Sequence, residues 1–358
     1  MVLKMVSNEA LVKYPKISVI VITKNNSNTI EKCLTGLLNQ DYPKDSYEII
    51  FVDGLSCDGT REIIEKYKRS QSLPLIKIFT ENIGTMGYAR NIGVNESKGN
   101  ILVFLDGDAY PTVNWLSQIA QSFMADPDLS ILGGLDVLTP ENKTRDTISS
   151  WRRLRKSVGL KAISRIRTVN LAIKRDILTL CGGFDSKLSH FDEAELIARL
   201  YFNFKIENVL FDPQIIVFHE RRNSGLVKRI KKVFKKSVIG VPILFRKHMM
   251  KMMLSDLFSA VSTSMFFVFA NFIFFLLLPF IILGLIPVVY ILSFLISGSI
   301  LVLLYTINMK RHIGKFEPKV VFILMLDCLI RFIGTLFGLI RLLSFSIYQL
   351  VKKLSDLL

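Results

Sequence analysis

The chain has 358 residues, half of them hydrophobic, with 46 Lys and Arg against 30 Asp and Glu and a formal net charge of +16. That length accommodates two or three domains. The four cysteines (Cys33, Cys57, Cys181 and Cys328) lie far apart without metal-ligand spacing, which argues against a zinc site or a disulfide framework and suits a reducing compartment.

Residues 1–16 have no apolar h-region and no cleavage signature, so they are read as a tail, and nothing there suggests export of the first domain. Ile17 to Thr23 is a run of β-branched residues that predicts a strand ending in polar Lys24-Asn25-Asn26. Ser27 to Asn39 places Ile30, Cys33, Leu34, Leu37 and Leu38 on one helical face. Glu48 to Val52 predicts a second strand ending at Asp53. Arg61 to Arg69 predicts a helix, Leu75 to Phe79 a strand, Tyr88 to Ser97 a helix, and Ile101 to Leu105 a fourth strand. Strands that are apolar throughout and separated by single helices indicate a mostly parallel sheet covered on both faces. Ligands of such sheets bind beyond the carboxyl ends of the strands, so Thr23, Asp53 and Asp106 should converge there.

The fourth strand runs into Asp106-Gly107-Asp108. Two carboxylates at the end of a buried strand are costly unless compensated. A second such pair, Asp126-Pro127-Asp128, follows a helix and reads as a helix-ending turn. No Gly-x-Gly-x-x-Gly follows the first strand and no Gly-Lys-Ser/Thr occurs anywhere, so the usual dinucleotide and P-loop readings lose their support. A divalent cation held by Asp106 and Asp108 remains, Mg²⁺ or Mn²⁺ by the hardness of the ligands, and such ions bridge substrate phosphates.

Further on, Trp151-Arg152-Arg153-Leu154-Arg155-Lys156 opens a basic stretch that continues through Lys161, Arg165 and Arg167. It is either a solvated loop or a grip for a lipid phosphate, to which the planar guanidinium fork is suited. Between Glu220 and Asp256 there are eleven Lys or Arg and no acid, including the run Lys228 to Lys236. Residues 226–256 are therefore expected to be a basic amphipathic segment lying on anionic membrane lipids rather than on nucleic acid. From Leu257 to Met309 there are 53 residues without a charged side chain, enough for two membrane crossings joined near Leu283 to Pro287. Val320 to Ile340 is a third apolar segment. It carries Asp327 and Arg331, which are spaced to pair on a helix. Residues 257–350 are thus expected to be a small α-helical membrane domain. Its basic flanks put the preceding domain, residues 17–225, on the cytoplasmic face of a multi-pass cell-membrane protein.

Three stretches in order, VIVITKNNSNTIEKCLTGLLNQ, IIFVDGLSCDGT and GYARNIGVNESKGNILVFLDGD, resemble the nucleotide-binding half of a family 2 glycosyltransferase with the GT-A fold. NLAIKRDILTLCGGFD (170–185), HFDEAEL (190–196) and FHERRNSGL (218–226) resemble the family's later motifs. The resemblance implies an α/β, Rossmann-like GT-A catalytic domain. It would take a UDP- or GDP-linked sugar with Thr23, Asn25, Asp53, Arg90, Asn91 and Asp106 on the donor side. It further implies that Asp106 and Asp108 hold the metal, completed by His219, and that the basic loop with Arg152, Arg153 and Arg155 faces the acceptor.

The family's usual Glu-Asp-x-Asp-Leu is replaced here by Asp192-Glu193-Ala194-Glu195-Leu196. Glu193 aligns with the catalytic base, with Asp192 as the alternative. A bland reading of the same acids is a helix N-terminus favoured by the helix dipole. Each of the others has one too: a turn for Asp53, a helix cap for Asp58, a structural role for His219, and loop-holding for Arg90 and Asn91. The function expected is sugar transfer, with inversion, to a lipid-linked acceptor: a polyprenyl phosphate or a lipid-linked glycan. A processive polysaccharide synthase would want a Gln-x-x-Arg-Trp motif, which is absent. A non-catalytic, membrane-tethered binding protein would not need the acids that are retained.

Overall fold

The computed structural model describes residues 14–139, 156–163, 165–220, 246 and 248. These fall into two compact units. One contains the whole sheet with its flanking helices; the other contains residues 190–205 with Arg246 and His248. The expected membrane crossings in 257–350, most of the basic segment 226–256, and Arg152, Arg153 and Arg155 lie outside the described residues. Among the described residues no helix is long and apolar enough to cross a membrane.

In chain order the first unit runs β1 (Ile17–Thr23), α1 (Ile30–Leu38), β2 (Tyr47–Asp53), α2 (Thr60–Ser70), β3 (Leu75–Thr80), α3 (Met86–Asn95), β4 (Ile101–Asp106), β5 (Ala109–Pro111), α4 (Trp115–Ala125), β6 (Ile131–Thr139), β7 (Ser157–Val158), α5 (Leu160–Ile163), a 3₁₀ turn (Thr168–Asn170), β8 (Leu171–Lys174), α6 (Arg175–Leu180) and β9 (Val209–Glu220). The strand order is β3-β2-β1-β4-β8-β6-β9-β5, with β7 on β9. β1, β2 and β4 are buried along almost their whole length, as strands covered on both faces must be. One face packs Val19, Val21, Phe51, Val103 and Leu105 against Cys33, Leu34 and Leu37 of α1 and Trp115, Leu116 and Ile119 of α4. The other packs Ile50 and Val52 against Ala89 of α3.

The parallel expectation holds only for the first half. β3-β2-β1-β4 are parallel throughout. Beyond β4 the sheet is mixed: β8 runs antiparallel to both β4 and β6, β9 is parallel to β6, and β5 and β7 are antiparallel to β9. The sheet is therefore mixed rather than mostly parallel, because β8 enters from a short 3₁₀ turn instead of a crossover helix. The helix starts also differ from the periodicity: α1 begins three residues later than expected and α3 two residues earlier, where Thr85 Oγ1 accepts from Tyr88 N. The Asp126-Pro127-Asp128 turn does end α4, with Leu129 N donating to Asp126 O.

The β6–β9 pairing slips between Gly134 and Leu135, so that Gly134 faces Asp212 and Leu135 faces Ile216. Asn170 fills the gap. Its Nδ2 donates to Leu135 O (3.0 Å) and Ile215 O (2.9 Å), and its Oδ1 accepts from Trp115 Nε1 (2.9 Å). A Cβ on Gly134 would stand 2.3 Å from Asn170 Nδ2, so only glycine lets the amide in.

Candidate active site

Register brings the strand ends together. Thr23 pairs with Asp53 and Ile22 with Asp106, so the tips of β2, β1 and β4 form one row. Gly107 turns the chain immediately afterwards, its N donating to Ile22 O and its own O accepting from Thr29 Oγ1. A Cβ there would meet Thr23 Oγ1 at 2.7 Å. β5 then pairs antiparallel with β9, Ala109 opposite His219, and Glu220 N donates to Asp108 O (2.8 Å). Lys32 of α1 ion-pairs with Glu220 and fastens the end of β9.

The outcome is a cluster of Asp106, Asp108 and His219, all half-buried. One ligand atom from each lies within 4.8 Å of the others. His219 Nε2 is 3.2 Å from Asp108 Oδ1. Burial opposes a charge on that ring, but the hydrogen bond to Asp108 and the charges of Asp108, Asp106 and Asp136 outweigh it and raise the His219 pKa. On the other side Arg90, only 2% exposed, reaches Asp106 Oδ1 at 3.4 Å, with its guanidinium 5.6 Å from the centre of the Phe184 ring. Each carboxylate at the end of β4 thus has a cationic or protonatable neighbour, which answers the cost of placing two acids there. Beneath them burial, then Asp108 and Asp106, push the Cys33 thiol far up, so it is inert. Two carboxylates and an imidazole offer two hard oxygens and one nitrogen, a donor set that fits Mn²⁺ or Mg²⁺.

The other donor-side residues are held by the loops themselves. Asp53 is 2% exposed and accepts from Ser56 N (3.0 Å) and Ser56 Oγ. Asn25 sits at φ 53°, its N donating to Ser56 Oγ and its Oδ1 accepting from Cys57 N, so two loops are tied together. Asp58 stands one residue before Gly59, the N-cap position of α2, and still bonds the first N–H of that helix, so the capping role holds in part. Burial works against the charge of Asp58, but it accepts from Thr60 Oγ1, Ser27 N and Thr60 N, and these bonds together outweigh burial and lower its pKa to about 2. Thr23 Oγ1 bonds Asn26 Oδ1. Asn91 places its amide on the 183–186 segment, Nδ2 to Phe184 O (2.8 Å) and Ser186 Oγ (2.9 Å), Oδ1 from Phe184 N (2.9 Å). That is loop-holding.

In the second unit α7 (Asp192–Asn203) begins at the acid motif, after Phe191 at φ 62°. Asp192 is 3% exposed and Glu193 is half-buried. The sequence reading passed over Asp136, hidden in the Gly-Gly strand β6, and Glu195, the fourth residue of the acid motif, which is 1% exposed.

Residues 18–182 match the family model described as glycosyl transferase family 2. They form a family 2 glycosyltransferase domain. Glycosyltransferase AglE of Haloferax volcanii is 32% identical to the chain over 176 residues, 49% of this chain and 57% of that protein. The dolichyl N-acetyl-alpha-D-glucosaminyl phosphate 3-beta-D-2,3-diacetamido-2,3-dideoxy-beta-D-glucuronosyltransferase of Methanococcus voltae is 32% identical over 134 residues, 36% and 42% of the two chains. The chain thus spans about half the length of these curated relatives. Among solved structures, a mannosyltransferase from Pyrobaculum calidifontis in complex with GDP-Man and Mn²⁺ is 20% identical, with a TM-score of 0.56. The match covers 91% of this chain and 88% of that one. Staphylococcus aureus TarS 1–349 in complex with UDP-GlcNAc is 21% identical with a TM-score of 0.51, over 65% and 67%. At these identities the likeness is one of fold, and the glycosyltransferase domain has the GT-A-like mixed α/β sheet.

Proposed function

We propose that the chain is a membrane-bound, inverting glycosyltransferase. It would move a sugar from a nucleoside diphosphate to a lipid-linked acceptor, a polyprenyl phosphate or a lipid-linked glycan, at the cytoplasmic face of the cell membrane. The observation that carries the reading is the convergence of Asp106, Asp108 and His219 at the end of β4 within a family 2 domain. The apolar tract 257–309 and the basic run before it support the membrane setting. The dolichyl N-acetylglucosaminyl phosphate in the name of the Methanococcus relative, a lipid-linked sugar, supports the lipid-linked acceptor.

Asp53 and Asn25 would meet the nucleoside, and Asp106, Asp108 and His219 would hold Mn²⁺ or Mg²⁺. Such an ion neutralises charge developing on a departing diphosphate. Arg90 keeps Asp106 aimed at that position. Glu193 or Asp192 would take the proton of an acceptor hydroxyl as its oxygen bonds to the anomeric carbon. The bond from that carbon to the diphosphate oxygen breaks on the opposite face, which gives inversion. An acceptor phosphate, already ionised, needs less of that help. Arg152, Arg153 and Arg155 are assigned to the acceptor's phosphate by their chemistry alone.

The test is release of UDP or GDP from a panel of nucleotide sugars in membrane extract, with and without Mn²⁺ or Mg²⁺. Metal-dependent release with label in the organic phase is expected, reduced about 100-fold or more in Asp108→Asn. Donor binding without turnover across the panel would sink the proposal in favour of a tethered binding protein.

A further inference from the structure

Glu195 has more partners than a helix needs to give it. Arg199, one turn on, already makes a two-point contact, Nε to Oε1 at 3.0 Å and Nη2 to Oε2 at 3.2 Å. Yet Oε1 also meets Arg246 Nη1 at 3.2 Å and His248 Nε2 at 3.1 Å, two side chains from 51 and 53 residues further along the chain. His248 in turn has Nδ1 3.5 Å from Asn203 Nδ2. A neutral ring with its proton on Nε2 satisfies both contacts. Burial, partly offset by Glu195, keeps the ring neutral by lowering its pKa.

The carboxylate at the centre is 1% exposed, so each partner counts for more than it would at the surface. Its backbone N closes the first turn of α7 onto Phe191 O (2.9 Å). Asp192, also buried, lies three residues earlier on the same face.

We propose that Glu195 is a positioning residue. Through Arg246 and His248 it registers the first turn of α7, with Asp192 and Glu193, against the sequence that leads from the basic run into the apolar tract. This deepens the transferase reading above and rests on it. The acids would be set in place by the part of the chain that approaches the lipid.

The measurement is steady-state transfer to the lipid acceptor by wild type, Arg246→Met, Arg246→Lys, His248→Gln and Glu195→Gln, with donor affinity measured separately. Arg246 is the most exposed partner, so its variants are the ones expected to fold. Arg246→Met should lower kcat about tenfold or more, with donor affinity unchanged and activity partly restored by Arg246→Lys. A fall in melting temperature alone, with kcat and acceptor KM as in wild type, would overturn the inference and leave the transferase reading standing. Absence of transfer by wild type itself would overturn both.

Discussion

Replacing Asn170 by Leu keeps the branched shape and removes every polar contact of a side chain that is 2% exposed. Three groups lose a partner: the indole N–H of Trp115 and the carbonyls of Leu135 and Ile215. A buried polar group left without its partner costs about 1–3 kcal/mol, so simple addition gives about 3–9 kcal/mol. The lower half of that range is the better expectation, about 3–5 kcal/mol, because a carbonyl has a second lone pair and the slipped strands can relax. Domains of this kind are held by about 5–15 kcal/mol, so the change removes a large part of the margin. Urea unfolding followed by fluorescence is the assay. The chain has two tryptophans, so a Trp151→Phe background leaves fully buried Trp115 as the reporter. With a slope of about 2 kcal/mol per molar, the midpoint should fall by about 2 M. Asn170→Asp should do no better, since a carboxylate accepts from Trp115 but presents no donor to the two carbonyls. An Asn170→Leu midpoint within about 0.5 M of wild type would refute the claim that this amide holds the slip together.

Two further outcomes are expected. Gly107→Ala forces a methyl within 2.7 Å of Thr23 Oγ1. It should weaken Mn²⁺-dependent donor binding about tenfold, at a strain of about 1–3 kcal/mol, as read by calorimetry with and without the ion. Asp58 has its pKa depressed to about 2 from 3.8, so its contribution is complete above 3.8 and lost as the pH falls toward 2. The stability gap between wild type and Asp58→Asn, followed by urea midpoints, should therefore be widest at neutral pH and narrow through that window. A gap that does not change with pH would show that the carboxylate's charge is not what binds the two loops.

The legible part of the fold is where burial is uniform. β1, β2 and β4 announce themselves as β-branched or apolar runs, and their ends mark Asp53 and Asp106. The second half of the sheet hides for local reasons. β6 opens Ile131-Leu132-Gly133-Gly134, and paired glycines read as a loop. β9 contains Pro213, which lies in the slip where the register is broken. β8 has only four residues behind a 3₁₀ turn. The same blindness cost the site Asp136, which sits on β6. His219 was within reach because a clear apolar run precedes it. For Asn91 the sequence offered loop-holding as one of two readings but not the partners, which at 184 and 186 are more than ninety residues away.

Those Asn91 contacts have company. Gly87 N donates to Leu188 O, and Thr85 Oγ1 to Ser186 O. A Cβ on Gly87 would lie 2.1 Å from Asp185 O, so the two strips of chain are in backbone contact. For anyone wishing to exchange donor preference by transplanting residues 85–91 from another transferase, this is a practical warning. The graft would arrive without the strip 183–188 against which it was cut, and that strip leads within a few residues to the acids at 192 and 193. The two pieces form one removable part and have to be moved together.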